Sequence, residues 1–331
     1  MKQSRRPIRS HGPASIKFGK HHPFPAFKQT KRYYCTAPTK HRMNWGMMDE
    51  KESLRRLQNE ELSILLVLDE FCKDHGISYF MASGTALGAL RHGGFIPWDD
   101  DIDVAMLRPD YDRFIELAEA SLPAGYSLHT AENTPGFAGT FAKLYKDGTV
   151  FQTAETLEAG CAQAIFIDVF PYDRISENKG ELKEQISNAK KWQRISYLYH
   201  SKSITVPHKG LLGAIERRAC VAAHYLVRAF LKPDRIIANF NRSINRSSGF
   251  DPASARYVQL SAPYVIPVAE SVLYPPVHVP FEGHLLPVPA KCDEYLTTWY
   301  GNWHELPSPD NRHTHLPQRL VFSDGTSWES E

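Results

Sequence analysis

Apolar residues recur at three- and four-residue steps over residues 49–75, where Leu54, Leu57, Leu65, Leu68 and Cys72 form a stripe with one polar gap at Glu61. That spacing predicts an amphipathic helix, and Asp74-His75-Gly76 supplies its stop. The next segment, ISYFMA at 77–82, is almost wholly apolar and reads as a buried central strand. Gly84 opens a turn, Thr85–Arg91 fits a short helix, and Gly93-Gly94 ends it. Over 101–106 the pattern becomes alternating: Asp101 and Asp103 fall on one face of a strand, Ile102, Val104 and Met106 on the other. Pro109 suits the first turn of the helix that follows. Strands are predicted near 126–131 and 139–146, with Lys146-Asp147-Gly148-Thr149 as a hairpin turn and a return strand at 149–154. AIFIDVF at 164–170 is an apolar strand with one acid, Asp168, and Pro171 ends it.

The second half changes character. Residues 177–200 and 209–245 are helical, with Pro207 between them, and 250–331 is Pro-rich and irregular. Short strands near 255–260 and 277–287 precede a helix at 290–300, ended by Gly301. The expected organisation is α+β. A basic leader spans 1–48, a catalytic core of mixed sheet and helices 49–175, a helical insert 176–248, and a C-terminal segment folding back on the core 249–331.

Charge sharpens the first of these boundaries. Residues 1–48 hold eleven Lys or Arg and no acid, which leaves 28 basic against 37 acidic residues in the body, a net of −9. An acidic body argues against nucleic-acid binding. The leader has no apolar h-region, so it is not a secretory signal. Its composition favours a disordered arm over a mitochondrial-type presequence. Met43, Met47 and Met48, just before the first helix, also allow a shorter product. The five cysteines have no close pair, which excludes a zinc-finger pattern or disulfide framework and suits reduced thiols in a cytoplasmic protein. No run of about 18 apolar residues predicts a membrane span. A partly amphipathic basic helix at 209–235 allows at most peripheral membrane contact, with packing inside the helical insert as the simpler expectation.

The acidic strand carries the candidate chemistry. Carboxylates a few ångströms apart repel unless a cation sits between them, and hard oxygen ligands suit Mg²⁺ or Mn²⁺. Asp101 and Asp103 are therefore candidate metal ligands, with Asp99 and Asp100 beside them. Asp168, alone in an apolar strand where an unpaired acid is costly, is the candidate third ligand. Ser83, Gly84 and Thr85 form a candidate phosphate cradle at a helix N-terminus. Arg91 and His92 between cradle and acids, Lys143, and Arg312 and His315 in PSPDNRHTH are candidate phosphate or substrate ligands. Helix-end compensation for His92, an exposed strand lysine for Lys143 and a solvated loop for Arg312 and His315 are the competing readings. Trp98 is a candidate face for a cationic head group, against core packing, and Asp173 a candidate loop cap.

The stretches SGTALGALRHGGFIPWDDDIDVAM, RPDYDRF and AIFIDVFPYD, with FEGHLLPVP and EYLTTWYGNWHELPSPDNRHTH, resemble the LicD family. The resemblance covers about residues 50–317. It implies a nucleotidyltransferase-like fold related to the fukutin group of ribitol-phosphate transferases. It also implies transfer of phosphocholine from CDP-choline to a sugar of a surface glycan, such as lipopolysaccharide or teichoic acid. Asp101, Asp103 and Asp168 would be the metal-binding carboxylates and Ser83-Gly84-Thr85 the cradle. Ser83 departs from the glycine the family often has there, a mild change that should leave the amide donors in place. A CDP-linked donor, a glycan or lipid-linked glycan acceptor, and a place in the cytoplasm or at the inner membrane face are expected. The alternatives are transfer of a phosphopolyol or sugar phosphate, a pyrophosphate-releasing nucleotidyltransferase, and an inactive binding paralogue.

Overall fold

The computed structural model describes residues 48–161, 163–203, 208, 210–244, 255–262, 265–312, 314 and 316–330. The basic leader lies outside the described residues. The first helix, α1 (Glu50–His75), starts on Asp49, whose side chain accepts from the Glu52 amide at 2.7 Å, and ends on Gly76 at φ +61°. The conformation there is left-handed and favours glycine. β1 (Phe80–Met81) leads into α2 (Ser83–His92), then β2 (Asp103–Leu107), α3 (Arg108–Ser121), β3 (Tyr126–His129) and β4 (Ala142–Lys146). β5 (Val150–Gln152), α4 (Ala154–Ala159) and β6 (Ile165–Arg174) complete the first half.

The main sheet runs in the order β1-β2-β6-β4-β3. β2 and β6 are parallel and the other pairs in that row are antiparallel, so the sheet is mixed. α1 packs against β4 and β6, and α3 against β2, β3 and β6. The apolar alternates of β2 and β6 enter this core: Val104, Met106, Ile165, Ile167 and Val169 are fully buried. Ile102, just before β2, is also fully buried.

Several elements depart from the sequence expectation. β1 stands at the end of the row, paired with β2 alone, rather than in the centre. It stays buried because it also packs against β10 (His284–Val288). The strand after the 146–149 turn does not return to β4. β5 pairs instead with β11 (Arg319–Val321), which pairs in turn with β12 (Ser327–Glu329). β6 continues through Pro171 to Arg174. Pro171 is tolerated because β4 pairing has stopped at Val169 and pairing with β7 (Arg256–Val258) begins only at Asp173. Asp173 is no loop cap: it is buried and accepts from Arg108 Nε at 2.7 Å.

Among the described residues the insert has three helices, α5 (Lys179–His200), α6 (Gly210–Phe230) and α7 (Pro233–Ile244). The expected single helix over 209–245 breaks before Pro233, which opens α7 where its missing N–H costs nothing. α7 and α5 share a small second core with Ile237, Phe240, Ala189 and Val258. β8 (Val268–Ala269) and α8 (Glu270–Leu273) follow β7. β9 (Val277–Phe281) and β10 then form a hairpin where one strand was expected. α9 (Cys292–Tyr300) closes on α2.

Candidate active site

The parallel pairing of β2 with β6 places Asp103 directly opposite Asp168, more than sixty residues away in the chain. Matched residues on neighbouring strands point to the same face about 4.8 Å apart. The strand assignment begins at Asp103, so Asp101 lies just before it. The Asp168 amide donates to Ile102 O at 2.9 Å and carries the pairing one step back toward Asp101. On the other side of Asp168, β4 brings Lys143 into register, its Nζ 3.0 Å from Asp168 Oδ1 and 3.2 Å from the centre of the Phe166 ring. Lys143 is thus an ion-pair partner of the third acid rather than an exposed strand lysine.

These acids sit in one another's field. Burial pushes Asp103 well above the ordinary carboxylate range, reinforced by Asp101, Asp168 and Asp99 and partly offset by a hydrogen bond from Ser83. Asp101 is pushed up to about 7, first by burial, then by Asp100 and Asp168, with Lys143 opposing. Asp101 itself presents surface to solvent, and repulsion by Asp100 and Asp168 acts on it without full burial. Asp168 is raised by burial against the pull of Lys143, and Asp99 well above its usual range by burial, Asp101 and Asp100.

The structure adds an acid that sequence reasoning passed over. Glu61, the polar gap in the α1 stripe, is 1% exposed and faces the same cluster. Burial first, then Asp101, Asp100, Asp99 and Asp168, hold its carboxyl well above the ordinary range. Its Oε2 is buried with no hydrogen-bond partner. The only signal in the sequence was that single gap, since an acid inside an apolar stripe is expensive without a purpose.

The turn at 83–85 is bound tightly to the acids. Ser83 has φ +46°, a left-handed value uncommon for a residue with a Cβ. The family's glycine at this position has a conformational reason, and Ser83 is less neutral than the resemblance implied. The Ser83 amide donates to Tyr295 Oη at 3.2 Å, and the buried Thr85 Oγ1 accepts from the Asp103 amide at 2.8 Å. In this state both groups serve the protein's own packing. A Cβ on Gly84 would stand 2.9 Å from Asp99 Oδ2, and one on Gly88 2.5 Å from Gly94 O. Gly84 and Gly88 are one turn apart on α2 and form a track. The 93–99 loop runs back along it and delivers Asp99 to the helix N-terminus.

Arg91 and His92 lie at the far end of α2, about 12–14 Å from Ser83 along the axis. Arg91 still feels Asp99, and its Nη1 donates to Trp303 O at 3.1 Å, tying the C-terminal segment to the site. The exposed His92 accepts from Arg91 Nε at 3.1 Å and stands outside the acid cluster. Arg312 stacks over Trp98, 4.8 Å from the ring centre, so a protein cation already occupies the face expected for a cationic head group. Burial lowers the Arg91 pKa, and Arg312 adds to this as one nearby cation does to another. Together Arg91, Arg312 and Trp98 make a cationic rim beside Asp99. His315 lies outside the described residues.

Among the described residues, no group of three or more His, Cys, Asp or Glu converges on one metal position. The donor chemistry nonetheless fits a hard divalent cation. The donors are carboxylate oxygens in mutual repulsion, and Glu61 Oε2 is buried without a hydrogen bond, while Asp168 Oδ1 is engaged by Lys143. Side-chain rotation would be needed to close them around an ion.

Residues 76–212 match the family model described as LicD/FKTN/FKRP, nucleotidyltransferase domain. The lipopolysaccharide cholinephosphotransferase LicD of Haemophilus influenzae is 29% identical over 280 residues, 80% of this chain and 98% of that protein. The ribitol-5-phosphate transferase FKTN of Mus musculus is 38% identical over 64 residues, 19% of this chain and 14% of that protein. An uncharacterized protein of Rickettsia typhi is 37% identical over 59 residues, 18% of this chain and 19% of its own length. The domain model covers β2, β6 and the acids between them, and the long match extends over most of the chain, so the chain is similar to LicD-family proteins along most of its length.

Proposed function

We propose that this chain is a phosphotransferase that moves phosphocholine, or a similar phospho-group, from a CDP-linked donor to a hydroxyl of a cell-surface glycan, releasing CMP. The observation that carries this reading is the register match of Asp103 with Asp168 beside Asp101, all held in mutual repulsion. The near full-length match to a lipopolysaccharide cholinephosphotransferase supports phosphocholine as the group and a glycan as acceptor. The shorter match to a ribitol-5-phosphate transferase keeps a phosphopolyol as the second reading.

Asp101, Asp103 and Asp168 would hold Mg²⁺ or Mn²⁺, whose chemistry is to neutralise the donor diphosphate. Arg91 and Arg312 face the phosphates from the rim, where guanidinium groups offer bidentate contacts. The acceptor oxygen forms a bond to the phosphorus of the transferred group as the anhydride bond to CMP breaks. The acceptor proton passes to a carboxylate of the cluster.

The test is a panel of CDP-choline, CDP-ribitol and CDP-glycerol with CMP as the readout. CMP release dependent on Mg²⁺ or Mn²⁺, abolished in a folded Asp103→Asn variant, is the expected result. Pyrophosphate as the product, or full activity in that variant, overturns the reading.

A further inference from the structure

α6 carries its apolar face outward. Its buried residues are Gly213 and His224, and His224 Nδ1 lies 2.7 Å from Leu198 O in α5. Its large apolar residues are exposed instead: Leu211 by 81%, Phe230 by 78%, Leu226 by 60%, Ile215 by 55% and Leu212 by 51%. At 100° per residue these five fall within an arc of about 100°, and the exposed Ala219, Ala222 and Ala229 fill the gaps between them. An ordinary surface helix turns such a stripe to the core. This one turns it away.

The polar side of the helix is basic. Arg218 borders the stripe, Arg217 and Arg228 are exposed on the side opposite it, and no acid occurs from Arg217 to Pro233. The one acid of the helix, Glu216, is engaged by His208, whose Nδ1 lies 2.6 Å from Glu216 Oε1. None of these residues belongs to the acid cluster or its rim. No helix among the described residues is long and apolar enough to cross a membrane. A continuous apolar stripe on a helix whose polar side carries arginines and, beyond Glu216, no acid is the pattern of a helix that lies in an anionic bilayer interface.

We propose that α6 is a docking helix for an anionic lipid bilayer, its Leu211–Phe230 stripe entering the acyl boundary while Arg218 at the stripe's edge meets headgroup phosphates and the positive charge of Arg217 and Arg228 adds long-range attraction. This surface suits an enzyme whose acceptor is lipid-borne, and in that respect it extends the function proposed above. The sequence alone favoured packing of this helix inside the insert, and it does pack against α5, but its apolar stripe faces outward.

The test is flotation of the full chain with vesicles of equal parts phosphatidylglycerol and phosphatidylcholine, against pure phosphatidylcholine. Binding to the anionic vesicles, weakened by high salt, is expected. Leu226→Glu and Phe230→Glu should each lower the partition coefficient by roughly tenfold or more, since each withdraws a large apolar side chain. Circular dichroism should be unchanged, because both side chains are exposed. Leu211→Asn probes the other end of the stripe. CMP release with a soluble acceptor, measured in parallel, should match wild type in all three, and its absence in wild type would strike the enzymatic reading while leaving docking intact. Failure of wild type to float, equal flotation of wild type and variants, or a dimer that Leu226→Glu dissociates without any vesicle binding would overturn the proposal.

Discussion

Replacing Glu61 by Gln isolates the most heavily constrained acid in the cluster. The carboxyl is 1% exposed, has no hydrogen-bond partner at Oε2, and is raised by burial and by four aspartates. In the unfolded chain it titrates near its ordinary value of about 4.3. Below that pH it is protonated in both states and costs nothing through charge. As pH rises, the unfolded chain releases the proton while the folded protein keeps it, so folding loses about 1.4 kcal/mol per pH unit until the folded carboxyl ionises. Gln has nearly the same shape and no proton to lose. Its buried amide carries a penalty of about 1–3 kcal/mol, but that penalty does not vary with pH. The slope is therefore the quantity to read. Urea denaturation of both proteins without divalent cations, from pH 4.5 to 7.5, should give stability curves that diverge with rising pH. The variant should gain at least about 1.4 kcal/mol on wild type across that window. Parallel curves would refute the placement of a protonated Glu61 against the aspartates.

Two further outcomes test the site. Gly88→Ala should lower stability by about 1–3 kcal/mol in thermal unfolding, because the new Cβ meets the Gly94 carbonyl at 2.5 Å and backbone cannot rotate away. Gly84→Ala, facing only the end of the Asp99 side chain at 2.9 Å, should cost less, and the reverse order would sink the track along α2. Divalent-cation affinity measured by calorimetry should rise as pH passes through about 7, where Asp101 loses its proton, and pH-independent binding would count against Asp101 as a ligand.

Local signals in the sequence determined the elements whose hydrogen bonds close within a few residues. α1, with its Asp49 cap and Gly76 stop, α2, α3 with its early proline, and α9 all follow from spacing and end residues inside short windows. The alternation of Asp103 against Val104 in β2 was equally legible, because a strand's two faces depend on nothing outside it, although the strand starts only at Asp103 and leaves Asp101 just before it. The partners of each strand were not legible. β5 pairs with β11 from the far end of the chain, and β6 threads past Pro171 because its neighbours change there. The break of the long insert helix at Pro233 carried a local signal, but the outward turn of α6 did not, since which face is buried depends on what packs against it. The same holds for the candidate site. Single residues announced Asp101, Asp103 and Asp168 as acids in unfavourable company. Only the parallel register of β2 with β6 set Asp103 against Asp168, only β4 brought Lys143 to them, and only the packing of α1 on the sheet made the gap at Glu61 a fourth wall of acid. Helical contacts close over three or four residues and can be read from one strip of sequence. Strand register and side-chain burial are settled by segments far apart in the chain, and these decided the site.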